Sequence, residues 1–147
     1  MFNQRASKTP ETVILWDYHV ILLQATHDHQ LLIYDLDSVL PYPCPLHDYV
    51  EYSFPHPDTL PAEYAPLARV IPAESFLRNF FSDRSHMRLP TGGWSAPPPS
   101  YACIQTQAGS NLDQYRIMKK EDDKLMLEAS YGAVMTIRQL LEYFEKA

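Results

Sequence analysis

Cysteine is scarce in this chain. Its 147 residues contain two, Cys44 and Cys103, too few for a disulfide framework and suited to a reducing compartment. Positive charge is also in short supply: 12 Lys and Arg against 18 Asp and Glu leave a formal net charge of −6. That balance argues against nucleic acid or an anionic membrane as the main partner. No apolar run approaches the roughly 18 residues needed to span a bilayer, and Met1–Lys8 has no apolar signal-peptide core. The expectation is a single domain over residues 1–147, monomeric, in the cytoplasm or nucleus.

What is present points to a loop-rich α+β domain. Apolar residues make up 46% of the chain, enough for a core. Its 13 prolines are nearly double the usual share of about 5%, which disfavours a helical bundle. The segment 12–24 is β-branched and aromatic at its start and then almost continuously apolar, predicting a central strand covered on both faces. Residues 24–30 form a polar turn, and 31–37 alternate as a second strand.

These strands carry ionisable groups in apolar surroundings, His19 on the first and Asp35 and Asp37 on the second. Burying such groups costs several kcal/mol unless they are paired. A hairpin loop of odd length centred on His27 sets His19 opposite Asp35; centring it one residue later selects Asp37, and an even-length loop breaks the match. The residues alone leave both carboxylates open. A paired imidazole and carboxylate is either a satisfied core pair or two-thirds of a Cys-His-Asp nucleophilic site.

Beyond the hairpin, Pro41–Pro45 must be extended. Helices are expected over 46–53, near 62–68, and over 74–81, the last burying Phe76, Leu77, Phe80 and Phe81. Short strands are expected at 69–71, 102–106 and 131–135, with loop over 82–101. The clearest helix is the C-terminal one, opened by a capping box of Thr136 and Gln139 and striped by Ile137, Leu140, Leu141 and Phe144.

The remaining chemistry-bearing residues read more plainly. Cys44, wedged between Pro43 and Pro45, lacks a following helical turn to lower its pKa, and Cys103 in an apolar run reads as a buried, inert thiol. His27-Asp28-His29 offers two imidazoles in a turn, short of the three or four ligands zinc needs, so no metal is expected. His86 has no defined partner. Pro98-Pro99-Ser100-Tyr101 matches the P-P-x-Y pattern of WW-domain ligands, an alternative function as a docking module.

Several strings occur together: Trp16-Asp17-Tyr18-His19-Val20, Tyr34-Asp35-Leu36-Asp37, Val39-Leu40-Pro41, Ser82-Asp83-Arg84-Ser85-His86-Met87, Trp94, Pro97-Pro98-Pro99 and Tyr131-Gly132-Ala133-Val134. In this order they resemble the protein N-terminal glutamine amidohydrolase family, from about Ile14 to Phe144. The resemblance implies a papain-like or transglutaminase-like α+β fold with a central antiparallel sheet. It implies conversion of an N-terminal Gln of a polypeptide to Glu with release of ammonia, a step in N-degron degradation, with no cofactor. The implied catalytic residues are His19 and Asp35, in a Cys-His-Asp triad. The family's nucleophilic Cys stands several dozen residues before the His, so this chain is expected to be N-terminally truncated, to lack the nucleophile, and to be inactive alone.

Overall fold

The computed structural model describes residues 1–9, 11–57, 60–104, 108–118 and 131–146. It is mixed α and β with small antiparallel sheets, and it divides into two compact units, Met1–Ala68 with Met135–Ala147, and Arg69–Val134.

The first unit is built on a three-stranded antiparallel sheet in the order β1-β2-β3, comprising β1 (Leu22–Ala25), β2 (Leu31–Tyr34) and β3 (Cys44–Pro45). Helix α1 (Leu46–Ser53) follows β3 directly, over the residues expected to be helical. The C-terminal helix α4 (Ile137–Glu145) carries the expected capping box: Thr136 Oγ1 accepts from the Gln139 amide at 3.2 Å, and Gln139 Oε1 accepts from the Thr136 amide at 3.0 Å. The core gathers Ile33, Cys44, Leu46, Tyr49, Val50 and Ile137, and the rest of the predicted α4 stripe, Leu140, Leu141 and Phe144, packs against it.

The expectation of a long, doubly covered strand over 12–24 is corrected. Only Leu22–Ala25 pair, β1 is an edge strand, and Leu15 and Val20 are exposed at 82% and 70%. An apolar run shows hydrophobicity but not which faces find a partner. The second strand ends at Tyr34 rather than Asp37, because the Asp35 carboxylate accepts the Asp37 amide at 2.9 Å and turns the chain out of the ladder.

Of the two hairpin registers left open, the chain adopts the later one. The pairs Leu22↔Tyr34, Leu23↔Ile33, Gln24↔Leu32 and Ala25↔Leu31 centre the loop on Asp28, one residue later than the register that sets His19 opposite Asp35. The loop is closed by Thr26 and Gln30, whose main chains and the Thr26 hydroxyl bond across it.

The second unit holds α2 (Ala73–Asn79), a 3-10 turn at Ser85–Met87 and the short helix α3 (Leu112–Arg116). Phe76 and Phe80 stack with centroids 4.6 Å apart and meet the Tyr115 ring edge-on, but Leu77 is 72% exposed and does not belong to the buried side. The Arg69 guanidinium donates to the carbonyls of Tyr115, Ile117 and Tyr131. The helix expected near 62–68 is a 3-10 turn at Ala62–Tyr64, followed by β4 (Leu67–Val70), which pairs with β5 (Ala133–Thr136). Of the strand expected over 102–106, Ile104 makes an isolated bridge to Ser82, and 105–106 lie outside the described residues.

Candidate active site

The polar centre of the first unit lies where the hairpin ladder ends. Ile33 and Asp35, two apart at the end of β2, both face inward and are 2% and 6% exposed. Tyr49 on α1 covers that face and donates its hydroxyl to Asp35 Oδ2 at 2.8 Å. His19, three residues before β1, brings its Nε2 to 2.9 Å from Asp35 Oδ1. The His19 side chain is 11% exposed and that of Asp35 2%.

The pairing of His19 with Asp35 therefore holds, but by a route other than the proposed register. Extending the observed ladder would set His19 against Asp37. The ladder stops instead, and the turn after Tyr34 leaves Asp35 pointing inward while Asp37 stays exposed.

Asp35 receives three donors: His19 Nε2, the Tyr49 hydroxyl and the Asp37 amide. An anionic carboxylate only accepts, so Nε2 must carry the hydrogen in the neutral imidazole, leaving the lone pair on Nδ1. A histidine fixed in one tautomer by a carboxylate is the arrangement a general base requires. The ligand-capable atoms of His19, Asp35 and Asp37 lie within 4.8 Å of one another, and no cysteine sulfur joins this group among the described residues. Both Asp35 oxygens accept from protein donors, so the carboxylate is held in one orientation.

A second set of contacts holds one face of the imidazole. The Trp16 indole stacks on His19. Its Nε1 donates to Gln4 Oε1 at 3.3 Å, and Gln4 is 1% exposed, donating in turn to the Phe2 carbonyl. Residues 3–5 are tied to the turn after β2, the Arg5 amide donating to the Asp37 carbonyl and the Val39 amide to the Asn3 carbonyl. The sequence offers Trp16 as part of a family-like string but with no role, and nothing in it marks Gln4 or Tyr49 as site residues. A tyrosine on the apolar stripe of α1 looks like one more core ring.

The other candidates lie elsewhere. Cys44 is 2% exposed and paired with Ile33 in β3, and burial, followed by the nearby Asp48 charge, pushes its thiol up. Helix α1 begins just after it, over the span where a helix is expected, yet the thiol is raised rather than lowered. Cys103, in the second unit, is partly exposed. His27 and His29 are exposed at the hairpin tip, and His86 is exposed on the 3-10 turn. In the segment Pro98–Tyr101, Arg84 donates to the carbonyls of Pro99 and Tyr101 and lies 4.9 Å over the Tyr101 ring.

A buried, oriented histidine-carboxylate pair on an α+β frame is shared by enzymes that move a proton and by cores that simply satisfy an imidazole. Comparison with known proteins narrows the choice. The model of the N-terminal glutamine amidase family matches residues 1–144, and the chain belongs to that family. It is 42% identical over 132 residues to the protein N-terminal glutamine amidohydrolase of Bos taurus, covering 89% of this chain and 60% of that protein. The protein of the same name from Homo sapiens matches at 42%, covering 89% of this chain and 61% of its own length. That of Danio rerio matches at 39%, covering 98% and 68%. The chain thus spans about three-fifths of the mammalian relatives' length.

Proposed function

We propose that this chain carries the base half of a protein N-terminal glutamine amidohydrolase, acting on polypeptides that begin with Gln. The observation that carries this reading is the Nε2 to Oδ1 bond of 2.9 Å between His19 and Asp35, in a chain of that family. In the proposed Cys-His-Asp mechanism, Nδ1 of His19 takes the proton of a thiol, and Asp35 holds the tautomer and stabilises the imidazolium. The thiolate attacks the side-chain amide carbon of the N-terminal Gln. His19 then protonates the departing ammonia, and water hydrolyses the thioester to release Glu. No metal or organic cofactor takes part. The papain-like or transglutaminase-like fold and a role in N-degron degradation belong to the same proposal, with a monomer acting in the cytoplasm and nucleus.

Cys44 is a poor candidate for that thiol, because it is buried and its thiol is pushed up by burial and then by Asp48. Cys103 does not join His19, Asp35 and Asp37 among the described residues, so the 147-residue chain alone is expected to release no ammonia above the buffer rate. The docking alternative through Pro98–Tyr101 has less support, because Arg84 already engages the Tyr101 ring and two carbonyls of that segment.

The test is a hybrid in which this chain replaces the matched stretch of the Bos taurus protein. It should release ammonia from a Gln-starting peptide and not from its N-acetylated form. His19→Ala should lower turnover by roughly 10⁴-fold or more. A folded but inert hybrid, or one indifferent to His19→Ala, would overturn the reading.

A further inference from the structure

We propose that Tyr49 is a positioning residue for the His19–Asp35 pair: its hydroxyl clamps Asp35 Oδ2 so that Oδ1 stays turned toward the imidazole. The proposal rests on the reading of His19 as the base, and it adds a residue from α1 to a site otherwise made by the hairpin.

A carboxylate rotates about its last torsion with a broad, roughly two-fold preference. An aspartate with one partner therefore exchanges its oxygens and loses a fixed direction. Here each oxygen has its own donor. Oδ1 takes His19 Nε2 and the Asp37 amide, while Oδ2 takes the Tyr49 hydroxyl at 2.8 Å. The Asp37 amide belongs to the same short turn as Asp35 and moves with it. Tyr49 does not, because α1 is anchored separately by Leu46 and Val50 in the core. Tyr49 is 2% exposed, so no water competes readily for its hydrogen. A buried phenol that remains protonated can only donate to a carboxylate. Besides Asp35, the groups facing the phenol are Cys44 from β3 and Ser53, one turn along α1. Those facing His19 are Asp35 and Asp37.

The consequence is visible on the histidine. While Asp35 is clamped, neutral His19 should occupy the single tautomer with hydrogen on Nε2, and that hydrogen should exchange slowly with water. Nitrogen-detected NMR of the full 147-residue chain, labelled at histidine, reads both properties between about pH 5 and about pH 9. In Tyr49→Phe both tautomers should appear, and exchange of the Nε2 hydrogen should accelerate roughly tenfold, the size expected for loss of one charge-assisted hydrogen bond. Tyr52→Phe, on the exposed side of the same helix, should match wild type. An unchanged single tautomer and slow exchange in folded Tyr49→Phe would overturn the proposal.

Should Tyr49→Phe fail to fold, the wild-type chain carries the test. The Tyr49 hydroxyl hydrogen should exchange at least about tenfold more slowly than that of free tyrosine; exchange at the free rate would overturn the proposal. None of these readouts needs turnover. An inert hybrid with Tyr49-dependent tautomer control would refute the reaction and leave the clamp standing. An active hybrid whose Tyr49→Phe variant keeps the wild-type spectrum would do the reverse.

Discussion

The Trp16 indole lies over the His19 imidazole, ring centroids 5.1 Å apart and planes 18° from parallel. The indole is held in turn by Gln4, so the imidazole is fixed through one face by a chain of contacts that begins near the N-terminus. Its edge is fixed by Asp35. Two independent restraints on one ring leave it little rotamer freedom, which is what a base acting at a fixed position needs.

Gln4→Ala tests the first restraint. It removes the acceptor of the Trp16 N–H and opens a gap at a site 1% exposed to water. The expected loss is about 1–3 kcal/mol of stability, the usual cost of a missing buried hydrogen-bond partner. Urea unfolding of the chain measures it. Gln4→Glu keeps an acceptor oxygen, but it buries a charge and should be no better. A Gln4→Ala midpoint equal to wild type would mean the indole is held by stacking alone.

Asp35→Ala and Asp35→Asn separate stability from chemistry. Alanine leaves the His19 N–H and the Tyr49 hydroxyl without an acceptor in a buried setting, which should cost about 3–5 kcal/mol. Asparagine still offers one oxygen, and both His19 and Tyr49 can switch between donor and acceptor, so its cost should be about 1–2 kcal/mol. Both variants should abolish turnover in the hybrid, because an amide no longer enforces the hydrogen on Nε2. Equal destabilisation by the two substitutions would show that the network contributes nothing beyond packing.

Much of this site is legible in the residues, but not its register. An ionisable pair in an apolar hairpin, His19 with Asp35 or Asp37, could be narrowed but not chosen. The choice depends on where the ladder stops, and that is set by a side chain bonding its own backbone, Asp35 to the Asp37 amide. Strand periodicity does not encode such a competition. Helix α4 is readable because local signals suffice, its apolar stripe and the reciprocal Thr136–Gln139 cap, and α1 occupies the span 46–53 where a helix is expected. The strand over 12–24 was overread because hydrophobicity does not reveal whether a neighbour exists. Tyr49 was invisible because its hydroxyl partner lies 14 residues away, across a turn and a strand.

Gly132 tests the second unit. Its φ is +67°, and a Cβ there would strike the Val70 carbonyl and lie 2.9 Å from Ile71 Cα. Backbone atoms cannot move aside as a flexible side-chain end can, and the left-handed conformation adds its own strain for any L-residue. Gly132→Ala should therefore cost about 3 kcal/mol or more, read as a lower thermal midpoint. Gly93→Ala has a similarly positive φ of +90° but nothing within 4 Å, so it should cost only the conformational part, about 1–2 kcal/mol. Equal effects at the two glycines would remove the steric argument.

Alkaline pH should unfold this chain through Tyr49. Burial, then the hydrogen bond and charge of Asp35, push its phenol far above the ordinary value, which is near 10. The folded chain keeps that hydrogen where the unfolded chain releases it, so the unfolded state binds fewer protons and stability falls as pH rises. The contribution is intact below about pH 10 and declines above it by about 1.4 kcal/mol per pH unit. Cys44 acts in the same direction, its thiol raised by burial and then by Asp48, so some loss should begin earlier, near the ordinary thiol value of about 8.5. Urea midpoints from about pH 8 to about pH 12 should fall more gently for Tyr49→Phe than for wild type, with the two curves parting only above about pH 10. Tyr52→Phe, lacking an exposed ring hydroxyl, should follow wild type throughout. Parallel wild-type and Tyr49→Phe curves would mean that the phenol ionises equally in both states, and the buried bond to Asp35 would then be untenable.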